Sequence, residues 1–465
     1  MSQALSPART PAIDSEHPVR RGARKSIWAA MIAAALAATA LPAQAQFTSL
    51  TGFGDSYADT GAAPGGAFRL LGIPCPAELP TCRFTGSTNF VDSLQSIYGL
   101  PGLTNYSIGG ARTNNSNTLQ GQGLYEGFPY ELQQFALSGT HFTNSDLVAL
   151  SIGGNDLSGI SLSGLATDAQ KTALIESSAV TSARAAAGGV EQLVRAGARN
   201  IAWLSTGGSK WFPEPPGGVT FTNPQRDDWA NTYYQQTQQL LAPLANSGVR
   251  IFLFNFGVLQ ERITNNPGLY GFTGRYGPNI PDSQRCQVLN GVPGCFYDNS
   301  VHPTGPAMAL IATYMANQID APTTVVPQDS IATSLAKGFS TSVLGRLDAE
   351  RGFPASNEGF KGGSLESPWS VYGNVNYGSR NLERQFLAAG YDYDAIGGMV
   401  GAEYRVNPRL LLGGVFGYST SNVSLGVQNA HDNIDSSQLA GYSSFTGVHR
   451  NRRQPPHHDG ERAKC

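Results

Sequence analysis

The feature that most constrains the fold is an alternation, from Phe47 to about Ala321, between short apolar runs and longer helical stretches. The apolar runs are SLTGFGDS, TNYSIGG, DLVALSIGGND, NIAWLSTG and VRIFLFNF. The clearest helical stretches are FVDSLQSIYG, PYELQQFAL, SSAVTSARAAAGGVEQLVRAG and DDWANTYYQQTQQLLAPLA. Nearly continuous apolar strands separated by helices indicate a parallel sheet covered on both faces. The predicted fold class is therefore α/β, with a doubly wound parallel sheet.

Polar or glycine-rich residues follow three of the predicted strands. Ser56 lies at the carboxyl end of the first strand, Gly110 just past the second and Asn155 just past the third. Ligands of open α/β sheets bind at the carboxyl ends of the strands. We therefore expect these three loops to converge on one edge of the sheet.

A serine hydroxyl is a poor nucleophile unless a neighbouring base accepts its proton. The predicted α/β region contains two histidines, His141 and His302. His141 lies in a polar connection before the third strand. His302 lies in YDNSVHPTG, where Pro303 and the following helix GPAMALIATYMANQI would hold it in place. His302 is therefore the stronger candidate base, although either histidine taken alone is more often structural.

A serine that attacks a carbonyl group also needs hydrogen-bond donors directed at the charge that develops on the carbonyl oxygen, and removing one such donor costs on the order of 3 kcal/mol. The backbone N–H groups of Ser56 and Gly110 and the side-chain amide of Asn155 are the candidate donors. Glycine at position 110 would let the backbone approach the substrate closely. Each residue alone is more often an ordinary turn residue, but all three follow successive strands.

Four blocks of the chain resemble the GDSL (SGNH) lipases and esterases. FGDSYADTG resembles the nucleophile block, SIGGAR the block with the oxyanion glycine, SIGGND the asparagine block and SVHPTG the histidine block. The resemblance implies a flavodoxin-like sheet and ester hydrolysis through an acyl-enzyme, without metal or organic cofactor. Ser56 would attack, His302 would transfer the proton, and Ser56, Gly110 and Asn155 would form the oxyanion hole.

The acid of the triad departs from the family pattern D-x-x-H. Asn299 stands three residues before His302, and the nearest aspartate is Asp298, one residue earlier. In another serine hydrolase triad, replacing Asp by Asn lowers turnover by about four orders of magnitude. We predict that Asp298 is the acid, with Asn299 or a backbone carbonyl as the alternative group that orients His302.

The N-terminus and the cysteines indicate export. A basic segment containing Arg20 to Lys25 precedes IWAAMIAAALAATAL and then LPAQAQ, which reads as a secretory signal cut after Ala45. Cys75 and Cys82 flank one loop and Cys286 and Cys295 another, so each pair could form a disulfide in an oxidising compartment. With 14% charged residues and a net charge of −2, the chain lacks the basic surface that binding nucleic acid requires.

The C-terminal region has a different pattern. TTVVPQDS reads as a linker and IATSLAKGFSTSVLGRLDAERG as a helix, and about four long alternating strands rich in Gly and Tyr follow Ser367. This arrangement resembles an autotransporter esterase, whose β-barrel lies in the outer membrane. A soluble antiparallel sheet is the alternative. Because so few strands cannot close a barrel, and because the polar end GVHRNRRQPPHHDGERAKC lacks a terminal strand, we expect an incomplete barrel that does not anchor the chain alone.

The domain interpretation is as follows: a signal peptide at 1–45, a hydrolase domain at 46–321, a linker and helix at 322–366, a partial antiparallel β-domain at 367–447 and an aberrant polar tail at 448–465.

The leading functional hypothesis is an exported serine ester hydrolase acting on acyl lipids, at the cell surface, in the outer membrane or outside the cell, or in the periplasm if the barrel does not function. Phe68, Leu70, Leu71 and Phe84 could line an acyl groove, or could equally be core residues. A carbohydrate O-deacetylase with the same site is the nearest alternative. A surface adhesin whose triad has decayed is the alternative from another class, and Asn299 is the feature in its favour.

Overall fold

The computed structural model describes residues 47–206, 221–276, 294–298, 301–351, 360–362, 367–384, 388–427 and 430–446. The predicted signal peptide, Cys286, Asn299 and the polar tail lie outside the described residues, so these interpretations stay predictions. Cys75 and Cys82 do form a disulfide, which confirms that pairing.

The first sheet has five parallel strands. They are β1 (Ser49–Gly54), β2 (Leu103–Asn105), β3 (Asp146–Ser151), β4 (Asn200–Ser205) and β5 (Arg250–Asn255). Their order is β2-β1-β3-β4-β5, and each neighbouring pair is parallel. This is the flavodoxin-like order of a doubly wound sheet, so the predicted fold class is confirmed.

Helices cover both faces of this sheet. They are α1 (Ala67–Leu70), α2 (Phe90–Ile97), α3 (Phe128–Leu137), α4 (Asp168–Arg195), α5 (Asn223–Asn246), α6 (Phe256–Asn265) and α7 (Gly305–Glu350), with 3-10 turns at Gln120–Gln122, Leu157–Gly159 and Pro267–Tyr270. Capping boxes fix where α2, α4 and α5 begin, because Asn89, Thr167 and Thr222 each accept a backbone N–H from the first turn.

Strand β3 shows why its residues read as a continuous apolar run. Leu147 and Ala149 point into a core formed with α2, α6 and the start of α7. Val148 and Leu150 point into the opposite core, formed with α3, α4 and α5. Because both faces are packed, the four central positions of β3 are apolar, and burying each large side chain contributes about 1.5–3 kcal/mol.

Helix α7 is continuous through residues 323–330, the stretch TTVVPQDS that was predicted to be a linker. The helix contains Pro322 and Pro327, and an internal proline normally breaks a helix because it lacks an N–H and crowds the preceding turn. The carbonyl of Thr323, which would have accepted the missing N–H of Pro327, instead accepts the backbone N–H of Ala389 at 2.9 Å. A contact from outside the helix therefore compensates for one of the two prolines.

The second sheet is antiparallel, as predicted for the C-terminal region. Its strands are β6 (Phe360–Gly362), β7 (Trp369–Leu382), β8 (Tyr391–Asn407), β9 (Leu410–Leu425) and β10 (His431–Phe445), paired in the order β10-β9-β8-β7-β6. Helix α7 packs on one face, where Val343 contacts a cluster that includes Tyr372 and Met399. Within the described residues, no helix combines the length and the apolar composition that crossing a bilayer requires.

Candidate active site

Ser56 lies in a tight turn directly after β1. The turn begins at Gly54, which has φ +115°, and a Cβ added there would lie 1.8 Å from the Ser151 carbonyl oxygen. Glycine is needed because β1 and β3 approach so closely at this edge. The backbone N–H of Asp55 donates to that same carbonyl at 2.7 Å. The chain therefore turns sharply at the carboxyl end of the strand, and the turn presents Ser56.

His302 meets Ser56 across 246 residues of sequence: its Nε2 lies 2.8 Å from the Ser56 Oγ. The segment that carries His302 is held on both sides. Tyr57 donates its hydroxyl to the Val301 carbonyl at 2.5 Å, and Thr304 caps the first turn of α7. Burial lowers the pKa of His302 to about 4, so the imidazole is neutral at neutral pH and can accept a proton.

The structure does not bring His141 to this site. His141 is exposed and lies before β3, at the end of the sheet opposite to the carboxyl ends of the strands. Of the two candidate histidines, only His302 lies within hydrogen-bond distance of Ser56.

Asp298 lies next to His302 through the backbone. Its N–H donates to the His302 carbonyl at 2.8 Å, and Tyr297 and Pro303 form a bridge beside this bond. The carboxylate lies near Gly86, where an added Cβ would be 3.6 Å from Oδ2. Asp298 therefore pairs with His302 through the backbone, and its role as the acid stays a prediction.

The three candidate oxyanion donors lie in the wall of one cavity with Ser56 and His302. Gly110 has φ +79°, and a Cβ there would lie 2.3 Å from the Asn117 Oδ1. Among the described residues, the N–H groups of Ser56 and Gly110 have no protein acceptor. Asn155 donates one side-chain N–H to the Ala111 carbonyl at 3.0 Å, which fixes the amide and leaves its second N–H for a ligand.

Buried carboxyl groups hold the loops that carry these donors. Asp59 accepts the backbone N–H groups of Gly61, Ala67 and Gly109 at 2.7–2.8 Å. Asp156 accepts the Thr113 N–H at 3.1 Å. Burial raises the pKa of both carboxyls despite these bonds. Neither aspartate was predicted as a site residue, although Asp59 lies inside FGDSYADTG and Asp156 inside SIGGND.

Two further carboxyl groups lie close to the nucleophile turn. Asp55 accepts the Tyr57 N–H and the Ser151 hydroxyl, each at 3.1 Å, and burial raises the pKa of Asp55 to about 7. Glu131 accepts the Gly54 N–H at 2.6 Å from helix α3. Burial raises the pKa of Glu131 well above its usual value, and its hydrogen bond to the Gly54 N–H braces the end of β1, two residues before Ser56.

The cavity has a volume of about 480 Å³ and a largely apolar wall. Of the four residues considered for an acyl groove, only Phe84 lines it. Phe68 stacks behind Phe84 with ring centroids 5.2 Å apart, and Leu70 and Leu71 pack on the core. The other large apolar side chains of the wall are Leu119, Ile152, Leu157, Phe221, Trp229 and Phe256.

Several of these residues were not predicted because no motif marks them. Phe221 lies just before α5 and Trp229 within its first turns, more than sixty positions after Asn155. Only the return of α5 over the sheet edge brings them to the cavity.

In the part of the chain that the structure describes, no three His, Cys, Asp or Glu side chains are grouped in a way that could hold a metal ion.

The fold and this site define a hydrolase of the SGNH type. The family model described as GDSL-like lipase/acylhydrolase matches residues 50–315. The chain belongs to this family. A second family model, the autotransporter β-domain, matches residues 371–453. The chain thus combines a lipase/acylhydrolase domain with a β-domain that supports export to the outer membrane or cell surface. No curated protein matches the sequence.

The chain is also similar to several solved structures. A phospholipase A1 from Streptomyces albidoflavus is 16% identical, with 58% of this chain and 97% of that chain covered and a TM-score of 0.32. An extracellular lipase from Streptomyces rimosus is 16% identical, with 57% and 99% covered and a TM-score of 0.27. A protein from Lactobacillus plantarum is 12% identical, with 59% and 97% covered and a TM-score of 0.31.

Proposed function

We propose that this protein is an exported serine ester hydrolase that cleaves the carboxylic esters of acyl lipids through an acyl-serine intermediate. The observation that carries the proposal is the 2.8 Å approach of the His302 Nε2 to the Ser56 Oγ. A base within hydrogen-bond reach of a serine hydroxyl is the arrangement that nucleophilic catalysis requires.

In the first half of the reaction, the Ser56 Oγ attacks the ester carbonyl carbon while the His302 Nε2 takes the hydroxyl proton. The negative charge that forms on the carbonyl oxygen accepts hydrogen bonds from the N–H groups of Ser56 and Gly110 and from the Asn155 amide. His302 then gives its proton to the departing alcohol, and the acyl group stays on Ser56.

In the second half, a water molecule gives a proton to His302 and attacks the acyl carbon, and the proton returns to the Ser56 Oγ as the acid leaves. The imidazole becomes positively charged twice in this cycle. Because burial disfavours that charge, a neighbouring acceptor must stabilise it, and we assign this role to Asp298.

The apolar wall of the cavity supports an acyl chain as the bound group. Aromatic and aliphatic side chains line ligand sites for apolar groups, with a few polar groups that fix the orientation. An acetylated sugar would present hydroxyl groups to Phe84, Trp229 and Phe256, which offer few partners. We therefore favour lipid esters over sugar acetates as substrates.

Labelling with a fluorophosphonate probe tests the nucleophile. We expect the full-length protein to be labelled and Ser56→Ala to lose the label, while Ser163→Ala, which changes an exposed serine outside the cavity, stays labelled. A chain-length series of p-nitrophenyl esters then tests the substrate class. Turnover of medium or long chains supports the proposal, activity on acetate alone would indicate a deacetylase, and absence of labelling would indicate a decayed site.

A further inference from the structure

The cavity contains a buried cation that the ester hydrolysis described above does not use. Arg226 lies in the first turn of α5, in the cavity wall, and is 3% exposed. Its Nη2 donates to the Phe221 carbonyl at 3.1 Å. Among the described residues, no other acceptor bonds to its guanidinium and no carboxylate pairs with it. An arginine has five N–H donors, so most of the donors of Arg226 have no partner among the residues that the structure describes.

This situation is unusual, because a buried charge is normally paired. Another deeply buried arginine of the chain, Arg346, follows that rule and bonds to Glu403 at 2.9 Å. Burial without a partner lowers the pKa of Arg226. The position adds a second cost, since the amino-terminal end of a helix carries partial positive charge and disfavours a cation. The burial of its charge and its position at a helix amino terminus both disfavour the Arg226 cation. An anionic ligand bound to the guanidinium would offset both costs.

The other charged groups of the wall do not neutralise Arg226. Arg112, the second arginine, donates to the Asn155 carbonyl at 3.0 Å and to the Ser158 hydroxyl at 3.1 Å. Asp55 is the one carboxyl among the residues that line the cavity. It already accepts hydrogen bonds from the Tyr57 N–H and the Ser151 hydroxyl. The described wall therefore carries two guanidinium groups against one carboxyl whose negative charge is disfavoured by burial.

We propose that the preferred substrate is an ester that carries an anionic oxygen group, a phosphate or a carboxylate, and that Arg226 binds this group. A guanidinium matches such anions because two of its N–H groups can donate in parallel to two oxygens. The inference rests on the proposed ester hydrolase function. It adds that the cavity selects substrates by charge as well as by their acyl chain.

Two matched pairs of soluble esters test the inference on the full chain. Hexanoyl-glycerol and hexanoyl-glycerol 3-phosphate differ by a phosphate on the alcohol side. Methyl hexanoate and monomethyl adipate differ by a carboxylate on the acyl side. Release of acid or methanol gives kcat/KM for each. We expect the anionic member of one pair to be preferred, and the pair that shows the preference identifies where the anion lies.

Arg226→Gln should lower kcat/KM for the preferred anionic ester by about 10- to 100-fold, the effect of losing a hydrogen bond to a charged group. The neutral esters should change by less than about threefold. Arg226→Lys should keep part of the preference. Arg195→Gln is the matched control, because Arg195 is an exposed arginine of α4 that pairs with Glu191 at the surface. This variant should leave kcat/KM unchanged for both the anionic and the neutral esters.

A measurement without any variant covers the case in which Arg226→Gln does not fold. Glycerol 3-phosphate or adipate should inhibit hydrolysis of the neutral ester competitively, whereas glycerol at the same concentration should not. The inference is overturned if the wild type prefers neither anionic ester, or if Arg226→Gln lowers neutral and anionic turnover equally. Continued hydrolysis of the neutral esters in those cases would leave the ester hydrolase function intact.

Discussion

The two sheets of this protein differ in how their apolar side chains are covered. The parallel sheet is covered by helices on both faces, so that every residue of β3 and β4 is buried. The antiparallel sheet has α7 on one face, and its other face exposes apolar side chains such as Val375 at 77% and Leu439 at 83%. The first sheet buries its apolar residues within the chain, whereas the second leaves one apolar face for an environment outside it.

The sheets also differ in how they hold buried charge. Around Ser56, buried carboxyl groups accept backbone N–H groups and hold loops in place. Under the second sheet, Glu403 is fully buried and pairs with Arg346 of α7. Chemistry is therefore expected from the first sheet alone, and the second should tolerate changes without loss of turnover. The following predictions test this division, beginning with the largest expected effect.

His302→Ala should lower kcat/KM for a p-nitrophenyl ester by about four to six orders of magnitude, because Ser56 loses its base. His141→Ala is the matched control and should stay near wild type, since His141 is exposed and far from the cavity. Equal losses in the two variants would contradict the assignment. In the wild type, kcat/KM should fall as the pH drops through about 4, where the imidazole of His302 becomes charged.

Asp298→Ala should lower kcat by about four orders of magnitude if the carboxylate orients and stabilises the imidazolium. Asn299→Ala, one residue away, serves as the comparison and should cost much less. Single-turnover kinetics with an activated ester measures both. The reverse order of the two losses would assign the role to Asn299 and remove Asp298 from the triad.

Glu403→Ala should destabilise the packing of α7 on the second sheet by about 3 kcal/mol, the lower end for a broken buried pair, because Glu350 still pairs with the buried guanidinium of Arg346. Ester turnover by the first sheet should persist. Denaturant unfolding followed together with activity separates the two effects. Glu191→Ala, in the exposed pair with Arg195, should cost less than about 1 kcal/mol. Loss of activity in parallel with unfolding of the second sheet would contradict the division.

Asn155→Ala should lower kcat by about 100- to 1,000-fold with little change in KM, because its amide contacts the oxyanion only as charge develops. Pre-steady-state acylation rates provide the measurement. A rise in KM with unchanged kcat would instead indicate that Asn155 binds the ground state of the substrate.

Glu131→Gln should have the smallest effect, and it should depend on pH. The folded-state pKa of Glu131 is raised by burial, so its contribution to stability is full below its unfolded pKa and is lost as the pH rises towards the folded value. The variant, which cannot ionise, should therefore gain stability relative to wild type above about pH 4.5, by up to about 1.4 kcal/mol per pH unit. Urea unfolding of the variant and the wild type at pH 4.5 and pH 7 measures this difference. The same difference in unfolding free energy at both pH values would contradict the prediction.

Most of the α/β fold could be predicted because its signals are local. Burial on both faces makes the strands continuous apolar runs, and side-chain caps mark where helices begin. The α7 helix was divided wrongly because Pro322 and Pro327 are strong local breakers, and the compensating bond from Ala389 joins positions that no local pattern relates.

The residues of the candidate site also differ in whether a local sequence pattern marks them. Ser56, Gly110, Asn155 and His302 stand in short blocks with a distinct composition, so the sequence alone brought them into consideration. Phe221, Trp229 and Arg226 have no such signal, because α5 is long and its cavity-facing residues resemble ordinary core and surface positions. Leu70 and Leu71 were reasonable candidates for the groove by proximity to the nucleophile block, yet their side chains pack on the core instead.

The 246 residues that separate the nucleophile from its base have a consequence for the synthesis of this protein. Ser56 is made near the beginning of the hydrolase region and His302 near its end, with four of the five parallel strands, β2 to β5, between them. Under the proposed mechanism, a nascent or proteolytically shortened chain that stops before residue 302 carries a serine without its base, and we expect it to leave the lipids of the producing cell intact. Ester turnover should then appear only once that whole region has been synthesised and has folded.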